Sequence, residues 1–274
     1  HSLFNGTVMG FLASAALVVS AVLPRAKLPP RRSIYERTTR GARIYLATPR
    51  LRGLLALNLA IASGSAMVIV NTVVLVQSGL GLTQKATAMA LAAFGGGSML
   101  VAFTLPKLLE KLPERRVMLA GASLIALGLF AGVAAPSGYL LLLALWFVMG
   151  IGYSLAQTPS GRLLRRSARE EDRPAVFAAQ FALSHACWLL TYPLAGWVGA
   201  KAGTTTSFLA LAAVATVAII IAIRVWPATE DAELHHVHDD LQPDDPHLNA
   251  GAGSGPHKHS HAYVVDDQHP RWPQ

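Results

Sequence analysis

The sequence predicts an all-α membrane protein, a bundle of transmembrane helices followed by a disordered tail. Of its 274 residues 53% are hydrophobic and 14% are charged, and the mean hydropathy is +0.42. Soluble domains carry about 25% charged residues. The apolar residues form long blocks, and no acidic residue occurs between Glu36 and Glu110. This composition excludes a soluble enzyme, and the single cysteine, Cys187, excludes an internal disulfide.

Seven apolar blocks are long enough to cross a bilayer, which takes about 20 residues in a helix. They are residues 4–24, 52–78, 86–106, 117–135, 138–158, 175–199 and 205–226. The last six form two triplets, 52–135 and 138–226, which enter the membrane from opposite sides. Such an inverted three-plus-three repeat is typical of secondary transporters, and a seven-helix signalling bundle has no reason to show one.

Lysine and arginine are confined to alternate loops. The loops on one side of the predicted membrane hold 18 of them, whereas those on the other side hold only Lys85 and Lys201. Basic loops face the cytoplasm, so residue 1 is predicted outside and the tail after Trp226 inside. The net charge of +8 therefore reflects topology. We expect a lipid bilayer as partner and no nucleic acid.

The blocks divide the chain into four parts. These are a single helix (1–24), a basic cytoplasmic central loop (25–51), a six-helix half (52–226) and a tail rich in His and Asp (227–274). The chain starts with His1, and no signal peptide precedes the first span. We therefore expect the C-terminal portion of a longer protein, with the missing N-terminal helices as its partner.

Polar side chains inside a span must face a cavity or another helix, because lipid cannot satisfy them. The candidate cavity residues are Asn58, Asn71, Gln180, His185 and Tyr192. His185 lies near mid-span, where an ionisable residue is a functional-site hypothesis by default, and Tyr192 follows two turns later. The alternatives are a neutral imidazole bonded to a neighbouring helix and amides that join helices.

Glycines recur in two of the spans. Gly95, Gly96 and Gly97 lie in span 86–106, and Gly150 and Gly152 lie in span 138–158. Such residues permit either close packing or bending of helices, and we favour packing.

Residues 1 to about 226 resemble the last seven of the twelve helices of the major facilitator superfamily. The resemblance rests on the helix count, the long basic central loop and short motifs such as Arg173-Pro174-Ala175 and Pro193-Leu194-Ala195-Gly196. A further motif, Pro106-Lys107-Leu108-Leu109-Glu110-Lys111-Leu112-Pro113-Glu114-Arg115-Arg116, is similar to the family's cytoplasmic loop signature. In this copy, prolines replace the glycines.

The resemblance implies a transporter rather than an enzyme, working by alternating access in a bacterial inner membrane. It also implies a cytoplasmic gate formed by Glu110, Lys111, Arg115 and Arg116, the alternative being solvated loop charges. No span holds a carboxylate at mid-depth. The group that couples antiport therefore lies in the missing helices or is His185, since imidazole titrates near neutral pH.

The tail holds eight of the ten histidines. The candidate metal ligands are His235, His236, His238, His247, His257, His259 and His261. Imidazole suits Ni²⁺, Co²⁺, Zn²⁺ and Cu²⁺, and alternate residues of an extended strand share a side. A solvated tail without function is the alternative. The more apolar end, Tyr263 to Trp272, is expected to dock on the transporter or on a partner.

Nickel-resistance exporters of this superfamily carry histidine-rich tails, and the sequence resembles that branch. We therefore expect export of a divalent metal, Ni²⁺ first, with Co²⁺ and Zn²⁺ next. The ion is the substrate, and no cofactor is required. Two alternatives stay open, namely an exporter of a drug or small organic metabolite and a non-transporting seven-helix metal sensor.

Overall fold

A computed structural model of the protein describes residues 2–21, 34–228, 234–237, 252–255, 258–261, 263–266, 269 and 272. The chain divides into two units, His1–Arg32 and Ser33–Gln274. The first unit contains helix α1 (Ser2–Ser20), which corresponds to the predicted span 4–24. Its apolar stretch, Gly6–Ser20, is shorter than a full span, and the predicted end at residue 24 lies outside the described residues.

The second unit is a helix bundle. Its helices are α2 (Ile34–Ala47), α3 (Pro49–Val73), α4 (Gln84–Lys111), α5 (Glu114–Ala131), α6 (Tyr139–Gln157), α7 (Ser160–Arg166) and α8 (Arg173–Val225). A π-helical turn, Val74–Gly79, extends α3, and a 3₁₀ turn, Gly132–Ser137, follows α5. Pro49 and Pro174 lie in the first turns of α3 and α8, where the missing N–H costs no hydrogen bond.

Helix α8 supplies two membrane crossings. Its 53 residues are interrupted at Gly203, whose φ of 87° and ψ of 162° are not helical and are readily adopted only by glycine. The Ser207 hydroxyl donates to the Ala195 carbonyl at 3.1 Å. Twelve residues of straight helix would separate these positions by about 18 Å, so the chain folds back at Gly203. We refer to residues 173–202 as the first part of α8 and to residues 204–225 as the second.

The predicted fold class is confirmed for this unit. Five helical stretches are long and apolar enough to cross a membrane, namely Pro49–Gly79, Gln84–Lys111, Glu114–Ala134, Tyr139–Arg166 and Arg173–Val225. Because the last one folds back, six crossings match the six blocks predicted between residues 52 and 226. The described parts of the basic loops meet at one end of the bundle, where Arg50 contacts Ser167 and Glu114 contacts Arg162. We call this end the basic end.

Part of the predicted central loop, residues 25–51, forms helix α2 in the structure. Helix α2 has too few apolar residues to register as a span, yet Ile44 and Tyr45 are buried and belong to the main core. The Cα of Gly41 lies so close to the backbone of α8 that a β-carbon there would be 2.0 Å from the Ala175 carbonyl oxygen. Residues 25–33 of the predicted loop lie outside the described residues.

The core is centred on α3, the most buried of the spans. The Trp146 indole of α6 donates to the Thr72 hydroxyl of α3 at 2.8 Å and packs against Phe208 of α8 at 6.2 Å between ring centroids. Fully buried Trp146 and Phe208 therefore join three helices around one polar contact. Helix α4 is the least buried span.

Part of the tail is regular, unlike the disordered tail that the sequence predicts. Strands β1 (Leu234–Val237), β2 (Ala252–Gly255) and β3 (Lys258–His261) form an antiparallel sheet in the order β1-β3-β2. Backbone pairing between segments that are distant in sequence satisfies their N–H and C=O groups, which local composition does not reveal. Tyr263, Val265 and His269 are buried, and Val265 belongs to the main core.

Candidate transport path and basic end

The five predicted cavity residues fall into two groups. Asn58, Asn71 and Gln180 are buried at contacts between helices. His185 is exposed on the first part of α8, and Tyr192 is partly buried on the same segment. The structure therefore brings the amides to helix contacts and leaves the imidazole on an open face.

Asn71 joins α3 to α8. Its Nδ2 donates to the Ala195 carbonyl oxygen at 3.2 Å, the same oxygen that accepts from Ser207. A β-carbon on Gly199 would lie 2.8 Å from the Asn71 Oδ1, so the two helices approach closely here. These contacts are those of an amide that links helices, the alternative reading of the sequence.

Gln180 and Asn58 lie beside Tyr45, which the sequence does not predict as a cavity residue. The Tyr45 hydroxyl of α2 donates to the Gln180 Oε1 at 2.5 Å, and Asn58 lies beside the same phenol. The Asn58 Nδ2 is buried without a hydrogen-bond partner among the described residues. Burial raises the pKa of Tyr45 far above its usual value of 10.0, so the phenol stays neutral and remains a donor.

His185 presents one ring nitrogen away from its own helix. Its Nδ1 lies 2.7 Å from the Phe181 carbonyl oxygen, and its ring stacks on that of Phe181 at 4.0 Å. A carbonyl only accepts, so Nδ1 carries the proton in this contact. In this tautomer the Nε2 carries the lone pair through which an imidazole binds a metal ion.

Aromatic side chains from three helices line the same region. Phe94 of α4 contacts Tyr153 of α6 at 5.5 Å between ring centroids, and Trp188 meets Tyr192 edge-on at 5.1 Å on α8. Phe94, Tyr153 and Tyr192 are all partly buried and pack against the main core. We call these four residues the aromatic face. It is polar at its hydroxyl and indole groups and carries no charge.

The glycines pack helices together, as the sequence reading favoured. A β-carbon at Gly97 of α4 would lie 2.0 Å from the Phe147 carbonyl oxygen, and one at Gly150 of α6 would lie 2.0 Å from that of Phe94. A β-carbon at Gly152 would lie 2.7 Å from the Gly121 carbonyl oxygen of α5. By contrast, nothing lies within 4 Å of a β-carbon at Gly95.

The motif at residues 106–116 lies at the basic end, and the acid of this motif that forms ion pairs is Glu114. Its carboxylate lies 2.9 Å from Arg162 Nε and 3.5 Å from Arg166 Nη2, and the side chain is buried. Arg115 donates to the backbone carbonyls of Trp226 and Ile223. Glu110, Lys111 and Arg116 are exposed and form no ion pair with the described residues.

Two arginines fasten the segment that precedes α8 to neighbouring helices. Arg40 of α2 and Asp172 form a buried bidentate pair, with N–O distances of 2.5 and 2.8 Å. Arg50 of α3 donates to the Ser167 hydroxyl at 2.8 Å and to the Arg166 carbonyl at 3.2 Å. Asp172 was missed because its partner is 132 residues away, although few acids occur between the predicted spans.

The tail sheet brings together two clusters of predicted metal ligands. In the backbone register His236 pairs with His259, and Leu234 pairs with His261. Among the side chains that the structure describes, no group of three or more His, Cys, Asp or Glu is arranged to hold a metal ion. The predicted ligands His238, His247 and His257 lie outside the described residues, as do the side chains of the strand histidines.

Six apolar crossings around a polar and aromatic face define a multi-pass membrane protein of the transporter type. Residues 54–246, more than half of the chain, match the family model of the Major Facilitator Superfamily. The chain belongs to the Major Facilitator Superfamily. A search of curated proteins found no significant match.

Proposed function

We propose that this transporter exports a divalent metal ion, with Ni²⁺ as the first choice and Co²⁺ and Zn²⁺ next. The observation that carries the proposal is the pairing of His236 with His259 in the tail sheet. This backbone register joins two histidine clusters, and in our proposal a single ion would take imidazole ligands from both strands. The tail would then collect the ion, which is substrate rather than cofactor.

The path for the ion would run along α3, α4, α6 and the first part of α8, and transport would proceed by alternating access. His185 and Tyr192 are the candidate contacts with the ion, since His185 Nε2 is available as an acceptor. Asn58, Asn71 and Gln180 would support this face from the helix contacts behind it. His185 would also be the candidate for exchanging protons against metal.

The basic end would face the cytoplasm of a bacterial cell, which places the tail where excess metal accumulates. Glu110, Lys111, Arg115 and Arg116 would form the gate, and the buried pairs of Glu114 supply a fixed point next to it.

A second candidate substrate is a small organic molecule, which the aromatic face favours. Phe94, Tyr153, Trp188 and Tyr192 offer large apolar surfaces, and all but Phe94 carry a polar tip, which is the usual lining of a small-molecule site. In this case the tail would be incidental to transport.

A flux measurement separates these possibilities. The purified protein is reconstituted into proteoliposomes, and Ni²⁺ entry is followed with an enclosed metal-sensitive dye. We expect flux with the wild type and none with His185→Ala. Ser184→Ala is the matched control, because Ser184 bonds only within its own helix at 3.0 Å and should keep wild-type flux. Absence of Ni²⁺, Co²⁺ and Zn²⁺ flux in the wild type would contradict metal transport and leave the organic substrate or the sensor.

A further inference from the structure

The end of the tail lies against the bundle, although the sequence between it and α8 is long. Tyr263, Val265, Asp266 and His269 are buried, and Trp272 is half-buried against the main core. We call the segment defined by these five residues the C-terminal strap. An apolar residue buried to 3% exposure, as Val265 is, gains free energy only while the strap stays docked.

The strap has its own internal structure. The Asp266 Oδ1 accepts from the His269 backbone N–H at 2.8 Å and from the His269 Nδ1 at 3.0 Å. The Asp266 backbone N–H donates to the His269 carbonyl at 3.1 Å. Tyr263 packs edge-on against His269 at 4.7 Å and against Trp272 at 5.1 Å between ring centroids. The segment is therefore a compact turn that presents an acid and an indole.

Both presented groups meet arginines of the basic end. Asp266 Oδ2 lies 2.6 Å from Arg169 Nη2, in the loop between α7 and α8. The Trp272 ring lies 5.1 Å from the guanidinium carbon of Arg50, at the start of α3. Arg50 itself bonds to Ser167 in the loop before α8. The strap thus holds the start of α3 and the approach to α8 at the same time.

Charge and geometry both suit this docking. The basic end carries a surplus of arginine. The strap meets two of these arginines by different interactions, an ion pair with its carboxylate and a cation–π contact with its indole. The Asp266 side chain is only 3% exposed in its ion pair, so the carboxylate is shielded from water, whereas Arg169 is 42% exposed.

We infer that the basic end contains a binding site for the C-terminal strap, and that the docked strap clamps the starts of α3 and α8 together. Alternating access requires the ends of helices to separate at one side of the membrane. A docked strap therefore restrains opening of the basic end, and release of the strap permits it. This inference does not depend on the identity of the substrate.

The test uses the full chain in native membranes with Cys187 replaced by Ala, so that introduced cysteines are unique. Val265→Cys reports the docked strap, and Ala168→Cys, at a buried position before α8, reports opening of the basic end. Labelling rates with a hydrophilic maleimide are compared with and without Trp272→Ala or the isosteric Asp266→Asn. Arg165→Ala is the control, because Arg165 is exposed and its side chain forms no hydrogen bond or ion pair with the described residues of the strap or of α3.

We expect slow labelling of both cysteines in the parent chain. Loss of either strap contact should speed both rates about five- to thirtyfold, the change in open population for one such contact, while Arg165→Ala leaves them unchanged. Rapid labelling of Cys at position 265 in the parent chain would overturn the docking. Faster labelling at 265 with an unchanged rate at 168 would overturn the clamp.

Discussion

The Tyr45 hydroxyl donates a hydrogen bond to Gln180 across 135 residues of sequence, with 2.5 Å between the oxygen atoms. Tyr45 is fully buried on the amphipathic helix α2, and Gln180 lies in the first half of the first part of α8. Together with the Arg40–Asp172 pair, this contact fixes α2 to the start of a membrane helix. The central loop is thereby coupled to the helix that carries His185.

The Arg40–Asp172 pair predicts a strong dependence of stability on both partners. Arg40→Ala should lower the free energy of unfolding by about 3–5 kcal/mol, because it removes the guanidinium that pairs with a buried carboxylate. Thermal unfolding in detergent micelles measures the effect. The double variant Arg40→Met, Asp172→Leu should recover most of the loss, and a single variant as stable as wild type would contradict the pairing.

The Trp146–Thr72 hydrogen bond gives a second prediction. Thr72→Val keeps the shape of the side chain but removes the acceptor, and should cost about 1–3 kcal/mol because the buried indole N–H stays unsatisfied. Thr72→Ser retains the hydroxyl and serves as the control. If the Thr72→Val and Thr72→Ser variants unfold at the same temperature, the hydrogen bond does not contribute to the free energy of unfolding.

The glycines of α4 predict effects of opposite sign at two neighbouring positions. Gly97→Ala should destabilise the bundle by about 1–3 kcal/mol, since its β-carbon would meet the backbone of α6. Gly95→Ala meets open space and should stabilise α4 by about 0.5–1 kcal/mol. Unfolding temperatures of the two variants decide the matter, and equal shifts would show that α4 and α6 are not in close contact.

The Asp266–Arg169 ion pair of the strap predicts that docking weakens at acidic pH. Burial alone would raise the pKa of Asp266, but hydrogen bonds from His269 and the charge of Arg169 lower it from 3.8 to about 2. A carboxyl whose folded pKa is lowered stabilises the docked state above its unfolded pKa and loses this effect as pH falls through the folded value. Docking should therefore weaken between about pH 4 and pH 2.

The difference in tryptophan fluorescence between wild type and Trp272→Phe measures this undocking. Its change should follow the acidic window in the parent chain and disappear in Asp266→Asn, which has no carboxyl to protonate. A change centred near pH 6 to 7 instead would assign the transition to a histidine and not to Asp266.

The membrane spans could be predicted because each one is a continuous apolar block, and a bilayer demands that pattern. Gly203 lies between the predicted blocks 175–199 and 205–226, and the chain reverses there in the structure. Helix α2 escaped prediction because it is amphipathic and basic, so neither length nor hydropathy distinguishes it from a loop.

The contacts of the site could not be predicted from the sequence, because they join residues that are far apart along the chain. Asn71 and Gln180 were selected as polar residues in apolar spans, but their partners, Ala195 and Tyr45, follow only from packing. Glu114 offered a signal, being one of only two acids between Glu36 and Glu170, yet the family-like motif directed attention to Glu110. The docking of the tail end was expected from its apolar residues, and burial of Val265 confirms it.

The central claim, metal export with collection by the tail, is tested most directly by cellular metal accumulation. Ni²⁺ content, with Co²⁺ and Zn²⁺ alongside, is measured in cells that carry the full chain, a version ending at Thr229, or no transporter. We predict lower Ni²⁺ with the full chain than in empty cells, and a smaller reduction with the version that lacks the histidines. Equal metal content in all three would contradict the proposal and direct the search to an organic substrate.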